Sequence, residues 1–177
     1  MPSPIAVAAN LRLVETQSIS TVRAMHLYLV RHAHAVDGTD DAERPLSGKG
    51  IAQIRDVGRL LREAEAIEAH QVWHSPLLRA QDTAVRLVKA LQLDAELVCA
   101  NGLRPSDEPE MIARRLRNVG KPVMIVGHEP HLSALASLLV FGRENPPRFA
   151  LKKCAVLRLD RETIGWTVRW LVSPELV

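Results

Sequence analysis

The sequence predicts an α/β domain built as a three-layer αβα sandwich, with a mostly parallel sheet between two layers of helices. Two patterns carry this expectation. Short, continuous apolar runs alternate with segments whose apolar residues recur every three or four positions, the signature of strands alternating with helices. The runs Leu27-Tyr28-Leu29-Val30 and Pro122-Val123-Met124-Ile125-Val126 are apolar throughout, as strands covered on both faces must be. A chain of 177 residues, 47% of them hydrophobic, is also the right size for one core.

The elements follow in order. Residues 1–24 lack an apolar period and read as an N-terminal extension, poorly ordered, with the working domain over residues 25–177. The first strand covers Leu27 to Val30 and ends at Arg31-His32. After a polar loop with Asp37, Asp40 and Asp41, Gly48-Lys49-Gly50 opens a helix whose face carries Ile51, Ile54, Val57, Leu61 and Ala64. Gln71 to His74 is a brief strand. Ser75-Pro76 then offers an N-cap followed by proline at the first helical position, starting a helix to about Leu91 that buries Leu77, Ala84, Leu87, Val88 and Leu91.

Ala95 to Val98 is a weaker strand, and Asn101 to Pro109 a turn-rich loop. Asp107 or Glu108 before Pro109 opens a helix with Met111, Ile112 and Leu116. The run Pro122–Val126 stops at Gly127-His128, and Pro130 starts a helix whose apolar face is Leu132, Leu135, Leu138 and Leu139. Breakers from Gly142 to Pro147 end it. Cys154 to Leu159 and Trp166 to Leu171 close the chain as a hairpin joined through Asp160 to Gly165.

Composition excludes several function classes. A net charge of +3 is too small for a nucleic-acid footprint unless it is clustered, and the sparse aromatics do not alternate with basic residues as a base-stacking platform requires. Cys99 and Cys154 form no Cys-x-x-Cys pair, which argues against a zinc knuckle or a disulfide scaffold and for the reducing cytoplasm. The apolar run Ile5 to Ala9 is too short for a secretory signal, and no stretch approaches the roughly 20 residues that span a bilayer.

Chemistry concentrates at strand ends. Arg31-His32, Arg79 and His128 each lie just after a strand or in the first turn of the next helix. In an open parallel sheet these places share one edge, where ligands bind. Two arginines and two histidines beside helix N-termini at Pro76 and Pro130 suit a tetrahedral dianion, because guanidinium forks onto phosphate oxygens and helical N–H groups add positive potential. A neutral imidazole also has a lone pair with which to attack phosphorus.

These residues resemble a known family. Leu29-Val30-Arg31-His32-Ala33, then Ser75-Pro76-Leu77-Leu78-Arg79-Ala80-Gln81-Asp82-Thr83-Ala84, then Val126-Gly127-His128-Glu129-Pro130 are similar to the motifs of the histidine phosphatase, or phosphoglycerate mutase-like, superfamily, from about Met25 to the C-terminus. Arg44-Pro45-Leu46-Ser47-x-x-Gly50 and Gly-His-Glu-Pro look most like the SixA-type protein phosphohistidine phosphatases. The resemblance implies a phosphoglycerate mutase-like fold and a metal-independent phosphatase without cofactor. It implies His32 as nucleophile, Arg31 and Arg79 as holders of the phosphoryl oxygens, His128 as hydrogen-bond donor to them, and Arg44 as a further phosphate contact. Two departures stand out: Ala33 replaces the family's usual glycine and is expected to crowd the loop, and His34 stands where an acidic residue is frequent.

Phosphoesterases of the superfamily carry a carboxylic acid to protonate the departing oxygen. Here Glu129 is the one well-placed candidate general acid, and it reads equally as an acidic residue favoured at a helix N-terminus. A labile P–N bond needs less help, so the expected substrate is phosphohistidine in a signalling or phosphocarrier protein. The alternatives are a phosphomonoesterase acting on a small metabolite and a non-catalytic phosphate- or phosphoprotein-binding module. A zinc hydrolase using His32, His34, His74, His128 and His131 is weakly supported, since His128-Glu129-Pro130-His131 lacks the His-Glu-x-x-His spacing. His34, His74 and His131 otherwise read as rim or packing residues, Ser75 as a helix cap, and Arg114, Arg115 and Arg117 as a solvated face. A monomer without nucleic-acid or membrane partner is expected.

Overall fold

The structure, a computed structural model, describes residues 25–144 and 146–177, so the proposed extension 1–24 lies outside the described residues. The elements are β1 (Met25–Arg31), α1 (Gly48–Glu63), β2 (Gln71–His74), α2 (Leu78–Leu91), β3 (Glu96–Cys99), α3 (Pro109–Arg117), β4 (Val123–Gly127), α4 (His131–Phe141), β5 (Val156–Glu162) and β6 (Gly165–Val172). They form one six-stranded sheet in the order β3-β2-β4-β1-β5-β6. The first four strands run parallel, while β5 pairs antiparallel with β1 and with β6, closing the expected hairpin.

The central strands alternate their buried side chains between two cores. Leu27, Leu29, Val123 and Ile125 meet Ile112 and Leu116 of α3 and Leu132 and Leu135 of α4. Tyr28, Val30, Met124 and Val126 meet Ile54, Val57 and Leu61 of α1 and Ala84, Leu87 and Leu91 of α2 on the other face. Strands apolar on both sides are what a sheet between two helical layers requires.

Register sets the site. Arg31 lies opposite Gly127, and His74 opposite Val126, so β1, β2 and β4 end level with one another. His32 extends the ladder by donating from its backbone N–H to the Gly127 carbonyl at 2.9 Å, and Ser75 donates to the Val126 carbonyl at 3.0 Å. The chain therefore delivers His32, Ser75 and His128 to the same edge.

Three sequence expectations are corrected. The second helix begins at Leu78 with Leu77 as N-cap and no side-chain cap, two residues later than Ser75-Pro76 suggests. Ser75 is still spent on the sheet, and its hydroxyl accepts from the Leu77 N–H at 3.4 Å within a local turn. Pro130 is the N-cap of α4, not its first helical residue, and follows a cis Glu129-Pro130 peptide. Ile51 and Met111, assigned to apolar faces, are exposed.

Two glycines have steric reasons to be glycine. A Cβ on Gly50 would overlap the carbonyl oxygen of His34, so the first turn of α1 touches the loop after β1 only because no side chain intervenes. A Cβ on Gly58 would lie 2.7 Å from that of Ala90, which is how α1 and α2 pack closely.

Candidate active site

His32 is 7% exposed and His128 is 1% exposed, and their rings lie 5.0 Å apart between centroids, tilted by 51°. The Nδ1 of His32 is 2.7 Å from the carbonyl oxygen of Ala33. A carbonyl only accepts, so Nδ1 carries the proton and Nε2 keeps the lone pair. Burial, then the charges of Arg79, Arg31 and Lys153, push this imidazole down to about 4, against the opposing Ala33 hydrogen bond. Burial, followed by His32 and Arg79, pushes His128 down to about 3. Both rings are neutral at neutral pH.

The loop that presents His32 is fixed from α2. The Thr83 hydroxyl donates to the Arg79 carbonyl at 2.6 Å and accepts from the Ala33 N–H at 3.0 Å. Ala33 is fully buried and does not occupy the positive-φ region, which among the described non-glycine residues is confined to Glu65, Gln92 and Cys154. The expected crowding is thus absent: this loop does not need the conformation that only glycine adopts freely.

The arginines are held differently. Arg31 donates from a terminal nitrogen to the Leu151 carbonyl at 2.8 Å, while its buried Nε has no partner among the described residues. Arg79, 4% exposed, donates to the backbone carbonyl of Asp41 and, at 3.0 Å, to its carboxylate. The other Asp41 oxygen accepts from Arg44 at 3.0 Å, and Arg44 also reaches Asp37 at 3.2 Å and the Val36 carbonyl at 2.8 Å. The hydrogen bond from Arg44, with those from Arg79, keeps the Asp41 carboxyl below its ordinary range despite some desolvation. Asp41 thus bridges Arg79 and Arg44: the pair with Arg44 is one that closeness in the loop suggests, while the contact with Arg79 joins a loop to a helix distant along the chain and leaves no signal in the sequence.

Glu129 is also engaged. One of its oxygens accepts from the Ser133 hydroxyl at 2.7 Å and from the Leu151 N–H at 2.9 Å. Glu129 and Arg31 therefore grip the same residue, Leu151, by its amide and its carbonyl. The helix N-termini contribute less free N–H than expected: Leu78 donates to the Ala42 carbonyl at 2.9 Å and Leu132 to that of His128 at 2.9 Å.

Both ring nitrogens of His128 are buried and without a partner among the described residues, as is Arg31 Nε. Unpaired buried nitrogens each cost on the order of 1–3 kcal/mol, a penalty that an oxyanion among them removes. His74 instead donates Nδ1 to the Ser75 carbonyl at 2.9 Å, and His34 Nδ1 meets the Ser47 hydroxyl at 2.8 Å. Among the described residues the histidines do not gather into a metal-ligating trio. The one close trio of ligand-bearing side chains is Glu108, Glu110 and Glu144, all acidic. Arg115 stacks on Trp73 with its guanidinium 3.9 Å from the ring centroid, so this member of the arginine cluster is not simply solvated.

Residues 27–107 match the family model of the histidine phosphatase superfamily, branch 1, a span that includes Arg31, His32, Arg44 and Arg79. No curated protein matches the chain in sequence. Among solved structures, the protein histidine phosphatase SixA complexed with tungstate is 25% identical with a TM-score of 0.75, covering 86% of this chain and 99% of that one. The alpha-ribazole phosphatase of Shigella flexneri, 20% identical, gives a TM-score of 0.71 over 85% of this chain and 97% of its own. A mycobacterial glucosyl-3-phosphoglycerate phosphatase complexed with VO3, 17% identical, gives 0.63 over 85% of this chain and 100% of its own. No helix among the described residues is long and apolar enough to cross a membrane. With the family model covering the first arginine-histidine pair and the Arg79 segment, and the fold shared with SixA, the chain resembles the histidine phosphatase superfamily and, within it, the SixA-type branch.

Proposed function

We propose that the chain is a phosphohistidine phosphatase that works through a covalent intermediate on His32 and needs no metal. Nε2 of His32 attacks phosphorus, and the P–N bond to the substrate imidazole breaks. That imidazole, protonated on its other nitrogen, leaves neutral. Water then attacks the phosphorus of phospho-His32, the P–Nε2 bond returns its electron pair to Nε2, and inorganic phosphate and a proton are released. Arg31, Arg79 and His128 hold the phosphoryl oxygens, so catalysis rests on positioning and charge stabilisation. Arg44 joins them when Asp41 gives way.

The observation that supports this substrate is the state of the nearby acids. Asp41 accepts from two arginines, which hold its carboxyl below the ordinary range and so oppose proton donation, while one oxygen of Glu129 is engaged by the Ser133 hydroxyl and the Leu151 N–H as an anchor. An ester oxygen leaves poorly without a donor. A protonated phosphoimidazole carries its own. The reading includes a cytoplasmic setting and a monomer whose partner is the phosphorylated protein.

The test compares a phosphohistidine protein with small phosphate monoesters at equal concentration, with and without chelator. Faster turnover of the phosphohistidine protein, unchanged by chelator, is expected. Much faster ester turnover overturns the substrate assignment, and loss of activity in chelator overturns metal independence. His32→Ala abolishes both turnover and trapping of acid-labile phosphate; a variant that still traps phosphate moves the nucleophile elsewhere.

A further inference from the structure

Beside the phosphoryl site lies a second pocket of about 190 Å³, lined among others by Arg31, His34, Lys49, Gln53, Lys153 and Glu175. Lys153 stands in a turn closed by the Ala155 N–H donating to the Lys152 carbonyl at 2.9 Å, with Cys154 at φ 62. The turn is tied down on both sides. Glu129 and Arg31 hold Leu151 before it, and the Cys154 N–H donates to the carbonyls of Arg31 at 3.0 Å and His32 at 3.3 Å after it. A left-handed, non-glycine residue costs on the order of 1 kcal/mol and persists where its surroundings dictate it. The backbone that presents Lys153 is therefore bonded to the two residues that open the phosphoryl site.

Charge in the pocket is unbalanced. Lys152 is 3.8 Å from Glu175, but Lys49 and Lys153 have no ion-pair partner among the described residues. Burial, and then the nearby charges of Arg31, Arg44 and Lys49, hold the half-buried Lys153 ammonium below its usual range, with Asp37 opposing. Its field also reaches His32. Like charges gathered without a counter-ion are unfavourable, and an anion bound among them reverses the sign.

We propose that this pocket is a second anion subsite, which takes a carboxylate or phosphate group of the same substrate whose phosphoryl group lies on His32. Arg31 lines both sites and fixes the direction in which the second group extends. The proposal builds on the phosphatase reading and names what such a substrate must carry besides its phosphoryl group.

The full-length protein is assayed on two substrate pairs that differ only in a second negative charge. One pair is phenyl phosphate and 4-carboxyphenyl phosphate; the other is two phosphohistidine peptides with alanine or glutamate flanking the phosphorylated residue. The charged member of at least one pair is expected to show about tenfold higher kcat/KM, and the Lys49→Ala/Lys153→Ala variant to bring that ratio to within about twofold of one, mainly through KM. Lys153→Arg keeps the preference, and Lys49→Ala alone, at an exposed position, reduces it in part. A preference in the peptide pair alone assigns the second group to an acidic side chain of a protein, and one in the ester pair to a small molecule. Equal kcat/KM within both pairs of the unaltered protein, or a preference that survives the double substitution, overturns the subsite. If the phosphohistidine reading fails, the peptides are not turned over, yet the ester pair still reports on the subsite, so the two failures are separate.

Discussion

Lowering the pH from 7 to 5 tests whether the two site histidines are neutral in the folded protein. His32 is pushed down to about 4 and His128 to about 3, chiefly by burial, whereas both titrate near 6.5 in the unfolded chain. The unfolded state then binds more protons throughout this range, so unfolding free energy rises with pH. The stability they confer is present above the unfolded value and is lost as the pH falls towards the folded values. For a group with these two pKa values, the loss between pH 7 and pH 5 integrates to about 2 kcal/mol. It is nearly the same for His128, because both native rings are still neutral at pH 5. His32→Gln removes one of the two, so the variant should lose about 2 kcal/mol less than the unaltered protein over that interval, as read from urea denaturation at each pH. His34, His131 and the paired carboxylates Asp41 and Asp160 also shift in the native state, but they are common to both proteins and cancel in the difference. Equal losses in the two proteins would mean that His32 titrates in the folded protein as it does in the unfolded chain, and the argument that burial keeps Nε2 unprotonated down to pH 5 would fail.

Gly50→Ala should destabilise the protein by about 2 kcal/mol or more, because the new Cβ meets backbone and not a side chain that can turn away; thermal unfolding within a degree of the parent would refute the close approach. Asp41→Asn should tighten competitive inhibition by orthovanadate severalfold, since the two ion pairs of the exposed Asp41 carboxylate, worth about 0.2–1 kcal/mol each, no longer compete for Arg79 and Arg44. Weaker inhibition would show that Asp41 aims Arg79 instead of occupying it. Glu129→Gln should leave the ratio of ester to phosphohistidine turnover unchanged, as an anchor of Leu151 would, while a selective loss on esters would restore Glu129 as general acid.

What the sequence made legible is tied to burial. Strands such as Val123–Gly127, buried along their whole length, announce themselves, and the residues that end them are therefore found with them. Arg31, His32 and His128 were legible for that reason, and the parallel register brings them to one edge. The start of α2 was misread because serine-proline imitates a cap and a first turn, while Ser75 is still bonded to β4 and the chain needs two more residues to change direction. Gly50 was visible only as a letter in a motif; its contact with the His34 carbonyl is a property of packing. Pairing of Arg44 with Asp41 was legible from their closeness in the loop, but the contact of Asp41 with Arg79 and the place of Lys153 were not. Asp41 reaches Arg79 across space from a loop, and Lys153 arrives beside Arg31 only because β5 pairs antiparallel with β1.

The same long-range contacts bear on the chemistry. A chain with a net charge of +3 has no general attraction for anions, so selectivity has to come from how its charges are arranged locally. The carboxylates closest to the site are spent: Asp41 on two arginines, Glu129 on a hydroxyl and an amide. Spending them keeps the arginines ordered and Leu151 in place, and the arginines on Asp41 oppose its use as an acid. Both site histidines are neutral for a separate reason, burial among positive charges, and a neutral imidazole is a nucleophile or a hydrogen-bond donor before it is an acid. On the proposed reading, an edge with much positive charge binds many phosphates but turns over quickly those whose leaving group brings its own proton, and that condition would separate phosphoimidazole from an alkyl ester more sharply than the shape of the pocket does.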